Sequence, residues 1–462
     1  MGYLKVYTRE LQMPHYPRAL ADSVHMSYTG EDGQEYSLNQ GYGILYAEAR
    51  IRPDNTIAPR GIRNPRILAL AEGYGILAEP VDMEGELIAE DCLVLWKTVD
   101  FLRFRQESVE RGQWQTQYDK AQSRMELPQT LWEDIRQRWG MPDVKLKKVE
   151  FPLAVGWADP VIFSWKDRWY FLATNDNNNN IGLFIREADS VAGLFDPGTK
   201  PHCILDYDAD REFIQTFWAP EFHVIGGRAY ILFAVGGRQW APQCHMMRLK
   251  EEGSLTDPAD WETPVRVRRQ DGSFLTEKGI SLDMTYFKAG GISYLVWSYR
   301  YGIGTAADTG SMLYIATTDE AQPWALTSEP VLLSRPLYGW ENQQGTINNE
   351  GPYALLLEEK VYLAYSGGGA CEPTYAVGYL VADQRDDLLD VESWYKEPAA
   401  MLHRGSVEGI EGPGHNSFFR NEEGELMIAY HAQEMEQHHM RCTTFHRVYV
   451  GGQGMPLLHI PH

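Results

Sequence analysis

No two cysteines in this sequence stand close enough to form a metal or redox motif. There are five (Cys92, Cys203, Cys244, Cys371 and Cys442), spread across 462 residues without a CxxC pair or a Cys/His cluster. That spacing argues against a structural zinc site, and an odd, sparse count points to reduced thiols and a cytoplasmic home. Apolar runs of membrane-spanning length are also missing, so no membrane partner is expected. The N-terminal stretch MGYLKVYTRELQMPHYPRAL has no apolar signal core, which agrees with a cytoplasmic location. Positive charge is scarce: 42 Lys and Arg stand against 64 Asp and Glu, for a net charge of -22. A nucleic-acid binder needs a basic footprint to displace counterions, so that class is excluded and a neutral substrate is the simplest partner. Oligomeric state is not set by any of these features.

Aromatic residues, in contrast, are plentiful. They make up 12% of the chain, with 14 Trp and 26 Tyr, as suits β-rich architecture, where flat rings pack on pleated surfaces. From about residue 154 to 450 the chain repeats one phrase: a polar loop, an acid or aromatic residue, a short strand, a turn, and an aromatic-rich strand. The units begin near Ala154, Phe213, Gly279, Gly345 and Gly405, and their second strands read RWYFLAT, RAYILFAV, ISYLVWSY, KVYLAYS and ELMIAYH. Five units of this kind fit an all-β, five-bladed β-propeller over residues 151–462. Residues 1–110 are expected to form a separate N-terminal β-rich domain. Within it RNPRILALAEGYGILAEP echoes ADPVIFSWKDRWYFLATN, with Asn64 standing where the later unit has Asp159. Residues 111–150 read as a linker. Inside it Leu127, Leu131, Ile135 and Trp139 recur every four residues and Gly140 and Pro142 follow, the signature of a short amphipathic helix with a stop signal.

Three acids enter the repeated strands: Asp159 in WADP, Asp283 in SLDMTYF and Glu350 in NEGPYAL. One acid per unit suggests convergence on a common point, and paired carboxylates in a cleft are what glycosidic bond cleavage uses. Read as turn chemistry alone, each acid would simply cap the entry to a strand.

With FWAPEF at Phe217–Phe222 and GPGHNSF at Gly412–Phe418 added, five motifs occur in an order that resembles glycoside hydrolase family 43 over about two-thirds of the chain. The resemblance implies a five-bladed propeller enzyme related to α-L-arabinofuranosidases and β-xylosidases. It implies that Asp159 is the general base, Glu350 the general acid and Asp283 the residue that tunes and orients the acid. An inverting pair of this kind stands roughly 6.5–9.5 Å apart, leaving room for water. Met284 after the third acid departs from the small residue or Pro usual in the family. The same resemblance places His415 in the central channel, where a calcium ion or a water is a candidate partner, and puts Trp157 and Trp218 near the sugar. No cofactor is required for the chemistry. Arg300, at a strand end, could hydrogen-bond sugar hydroxyls or sit in an ion pair. Asp176, in the Asn-rich loop, reads as an exposed turn beside the Asp159 unit. His431 reads as a structural hydrogen-bonding residue, and His438 and His439 as surface or structural. The expected activity is exo-hydrolysis of terminal α-L-arabinofuranosyl residues from oligosaccharides. The alternatives are a β-D-xylosidase of the same family and a non-catalytic carbohydrate-binding propeller.

Overall fold

The computed structural model describes residues 2–30, 33–88, 91–139, 148–343, 346–434, 440–451 and 454–459. The Gly345 unit start, the Gly140–Pro142 stop signal and the His438–His439 pair lie outside them.

Among the described residues from 154 onward, the chain forms five four-stranded antiparallel sheets. Their first strands are Trp157–Trp165, Gln215–Ile225, Ile280–Ala289, Asn349–Leu357 and Ile410–Arg420, and these adjoin one another in a closed cycle. The sheets are called first to fifth in that order. The fifth takes its outermost strand from the other end of the segment: Ala154 pairs with Thr443 and Val155 with Cys442. The cycle is thus closed by main-chain hydrogen bonding between its two ends.

The second strand of each sheet shows why the aromatic-rich runs fold this way. Side chains alternate between the two faces of a strand, and here each face meets a neighbouring sheet. In Arg228–Gly236, Ile231, Phe233 and Val235 pack towards Leu172 and Ile185 of the first sheet. The intervening Tyr230 and Leu232 pack towards Leu295 and Trp297 of the third. Val296 and Leu363 meet between the third and fourth sheets. Ala364 and Ile428 meet between the fourth and fifth, and Ala429 and Phe171 between the fifth and first. Five cores between five sheets explain second strands whose middle runs are apolar on both faces and do not alternate with polar residues.

The N-terminal part is β-rich, and its strands run past residue 110. Arg124–Leu127, placed in the linker by sequence, is an edge strand paired with Gly2–Tyr7. A second sheet holds Gly61–Ala69, Tyr74–Val81, Cys92–Thr98 and Arg105–Glu110. The helix Arg111–Lys120, which the sequence reading missed, packs on that sheet. The amphipathic helix spans Gln129–Trp139 and buries Trp132, Ile135 and Trp139. Leu127 therefore belongs to a strand, not to the helix. The core does not stop at residue 150: Val6, Trp96, Trp132 and Ile135 share one cluster with Tyr362, Tyr379 and Ile428. Buried Arg138 is ion-paired with buried Glu397 across the same junction.

Candidate active site

A β-bulge interrupts the first strand of every sheet in the cycle, always near its start. The register shifts fall between Ala158 and Val161, Trp218 and Glu221, Leu282 and Thr285, Glu350 and Tyr353, and Gly414 and Ser417. At each bulge one residue takes a left-handed backbone: Asp159 (φ 54°), Ala219 (45°), Asp283 (53°), Gly351 (56°) and His415 (47°). Bulges redirect side chains, and left-handed non-glycine residues carry strain that surrounding structure must hold. Three of these five residues are Asp159, Asp283 and His415. Glu350 directly precedes the fourth. A Cβ on Gly351 would lie 3.0 Å from the His415 ring, so glycine there permits both the backbone and the close approach.

Asp159 is 5% exposed and surrounded. Thr174 donates to Oδ2 at 2.6 Å, His415 Nδ1 stands 3.3 Å from Oδ1, and Arg441 Nη1 donates to Oδ1 at 3.3 Å. Burial alone would raise this carboxyl, but His415, Arg441 and His431 outweigh it and hold it well below the usual carboxylate range. Arg441 is itself gripped in a fork by Asp176, at 2.7 and 2.9 Å. Asp176 is therefore part of the charge network around Asp159 and not merely a turn residue.

Asp283 is 3% exposed and accepts from the N–H of Gly351 at 3.1 Å and the hydroxyl of Ser298 at 3.2 Å. Burial raises its pKa; His415 opposes that rise and Asp159 adds to it. Glu350 accepts from the Tyr375 hydroxyl at 2.9 Å and keeps part of its surface open. Burial first, and then the charge of Asp283, push Glu350 up to about 7. One carboxyl held ionised and another held protonated near neutral pH is the division of labour that acid–base chemistry needs.

His415 connects the three acids. Burial would lower its pKa, but Asp159, Asp283 and Glu350 together raise it above the usual histidine value. Among the described residues no group of three or more His, Cys, Asp or Glu side chains is arranged to hold a metal ion, and Nδ1 of His415 is turned to Asp159. His431 belongs to the site, which the sequence reading missed. Its Nδ1 accepts from the N–H of Asp159 at 3.3 Å while Nε2 faces the carbonyl of Ala370 at 3.1 Å. The same Nδ1 stands 3.1 Å from Oδ1 of Asp159; burial lowers this histidine, and its contact with Asp159 opposes that fall. Its ring stacks on Tyr375 at 5.5 Å.

The remaining sequence candidates separate. Trp157 is 6% exposed and its ring packs against Phe171 and Phe184, with the Arg186 guanidinium over it at 5.0 Å. It is a core residue, not a sugar platform. Trp218 remains half-buried, next to Ala219, whose N–H donates to the same Thr174 hydroxyl that reaches Asp159. Arg300 is forked onto Asp308 at 2.7 and 2.9 Å, so its charge is already paired.

The cycle of sheets and the buried carboxyl cluster are an arrangement suited to glycosidic bond cleavage. The chain belongs to glycosyl hydrolases family 43, whose model matches residues 152–456. It is 32% identical over 322 residues to an extracellular exo-α-(1→5)-L-arabinofuranosidase of Streptomyces avermitilis, covering 67% of this chain and 63% of that protein. To the enzyme of the same name from Streptomyces chartreusis it is 34% identical, over 62% of this chain and 83% of that one. Among solved structures, an α-L-arabinofuranosidase from Lactobacillus brevis superposes with a TM-score of 0.57 at 28% identity, over 68% of this chain and 97% of that one. The two Streptomyces relatives are named as extracellular, which overturns the expectation of a cytoplasmic home. All five cysteines are unbridged, but free thiols report the absence of disulfides and do not fix a compartment.

Proposed function

We propose that residues 151–462 form a five-bladed propeller, supported by the β-rich N-terminal part and the helical stretch 111–150, and that it acts as an inverting exo-glycosidase on terminal α-L-arabinofuranosyl residues of oligosaccharides. The observation that carries this reading is the opposed electrostatics of Asp159 and Glu350 around His415. Asp159, kept ionised, takes a proton from a water on one face of the sugar. Glu350, kept protonated, gives its proton to the departing oxygen on the other. Asp283 supplies the negative charge that keeps Glu350 protonated and orients the adjoining Gly351 N–H. His415 compensates the charge of the cluster as the sugar gains oxocarbenium character, and Trp218 is the aromatic wall beside it. The names of the relatives support arabinofuranose as the sugar.

Glu350→Gln and Asp159→Asn, assayed on aryl α-L-arabinofuranoside and aryl β-D-xyloside, test the assignment. Each is expected to lower kcat by about 10²–10⁴-fold, the span of general acid–base catalysis. Undiminished turnover in both variants would remove the catalytic assignment, and preference for the xyloside would replace the sugar.

A further inference from the structure

A groove of about 510 Å³ opens beside the second sheet and the loop that leads from it to the third, lined by Trp240, Arg266, Arg268, Phe274 and Glu277, together with His245 and Arg211. The Arg266 guanidinium lies 3.7 Å from the centre of the Phe274 ring and 5.4 Å from that of Trp240, and Arg268 lies 5.5 Å from Phe274. Among the described residues neither arginine has an ion-pair partner, whereas Arg211 is paired with Asp208 at 2.6 Å. Arg266 gives one N–H to the carbonyl of Thr276 at 3.2 Å. Its Nε and the Nε1 of Trp240 are buried donors with no acceptor in the protein. His245, lowered to about 4 by burial, adds no charge, and Glu277, exposed in the lining, acts on Arg266 as a nearby carboxylate without a salt bridge to it. In a chain of net charge -22, this wall is cationic and aromatic together.

The groove opens at the end of the sheets where the acids lie. The loop bearing Trp240 is tied to the strand of Asp283: Ser281 N–H donates to the Pro242 carbonyl at 3.1 Å, and Gln243 donates to the Gly279 carbonyl at 3.0 Å. A guanidinium fork matches the planar geometry of a carboxylate, and flat rings match the C–H face of a pyranose. A bare inorganic anion would use the charges and leave the rings idle.

We propose that this groove is a distal subsite for a carboxylate-bearing sugar, a uronate, in the chain whose terminal residue enters the acid cluster. The proposal rests on the glycosidase reading of that cluster and replaces the expectation of a purely neutral substrate.

The test is binding of a galacturonate trimer and of the neutral galactose trimer of the same linkage, measured by calorimetry on the full chain. Arg268→Gln is the variant of choice because Arg268 is exposed, whereas Arg266 is packed between rings. The acidic trimer is expected to bind in a salt-sensitive manner and to bind Arg268→Gln about tenfold more weakly, the worth of one charge-assisted hydrogen bond. Turnover of aryl arabinofuranoside by the variant should match that of the parent. Equal binding of the two trimers, no binding of either, or unchanged binding to the variant would overturn the subsite, as would inorganic phosphate competing as well as the uronate. Failure of the glycosidase reading is a separate outcome, since it would appear as absent aryl arabinofuranoside turnover in the parent chain whatever the trimers do.

Discussion

Asp159 and Glu350 are both carboxyl groups at strand entries, and their neighbours make them opposites. The working form of the pair has Asp159 ionised and Glu350 protonated. Glu350 is raised to about 7, so activity should be full below that pH and fall as pH rises through it. Asp159 is lowered, so the fall on the acid side should come only well below the usual carboxylate range. Tyr375 donates to Glu350 and thereby favours its ionised form. Tyr375→Phe is therefore expected to move the alkaline limb of kcat to higher pH, and a limb that stays in place would reduce Tyr375 to a packing residue. Arg441→Gln removes a cation from Asp159 and should move the acid limb upward. The three acids were readable because each sits in a short contiguous motif. His431 and Arg441 were not, because their contacts with Asp159 span 272 and 282 residues of chain, and no local pattern records a contact made only by closure of the cycle.

The bulge is the element that turns a strand into a site. The strand runs were legible from their aromatic and β-branched content, but the left-handed residue inside each first strand was not, since Asp159 and Ala219 precede proline while Asp283 and His415 do not. The one trace in sequence was the echo between Asn64 and Asp159. Asn64 also adopts a left-handed backbone (φ 50°), at a register shift between Arg63 and Arg66. The N-terminal sheet thus carries the same bulge, with the Asn64 side chain bonded to Glu79 instead of facing the acids. Gly351 is the bulge position where only the smallest residue fits. Gly351→Ala should destabilise the fold by about 1–2 kcal/mol for the left-handed backbone alone. It should also press on the His415 ring, so that the histidine's proton uptake, followed by NMR, shifts together with the loss in denaturation midpoint. A variant with parental stability and an unshifted His415 would show that the bulge tolerates a side chain.

At the scale of the whole molecule, the N-terminal part and the cycle of sheets share one apolar core, and sequence could not show this because the strands of both parts look alike. The apolar helix face was legible, but not its partner: Trp132 and Ile135 pack into the cluster that reaches Tyr379 and Ile428. Arg138 and Glu397 sit inside that junction at 5% and 1% side-chain exposure, and Glu397 Oε1 and Arg138 Nη1 lack partners. Removing one member of such a pair strands a buried charge, whereas removing both with apolar residues does not. Arg138→Met is therefore expected to lower unfolding stability by about 3–5 kcal/mol, and Arg138→Met with Glu397→Met to recover most of the loss. Without Arg138, the rise that burial imposes on Glu397 is opposed only by the smaller effects of Arg103 and the Ala399 N–H. The folded variant then holds a proton that the unfolded chain releases, so the deficit should be smaller at acidic pH and grow as pH rises. Chemical denaturation of the single and double variants across pH measures all of this, and because neither residue touches the acids, the pH profile of turnover should stay that of the parent. A single variant as stable as the parent would mean that the pair does not hold the N-terminal part to the cycle.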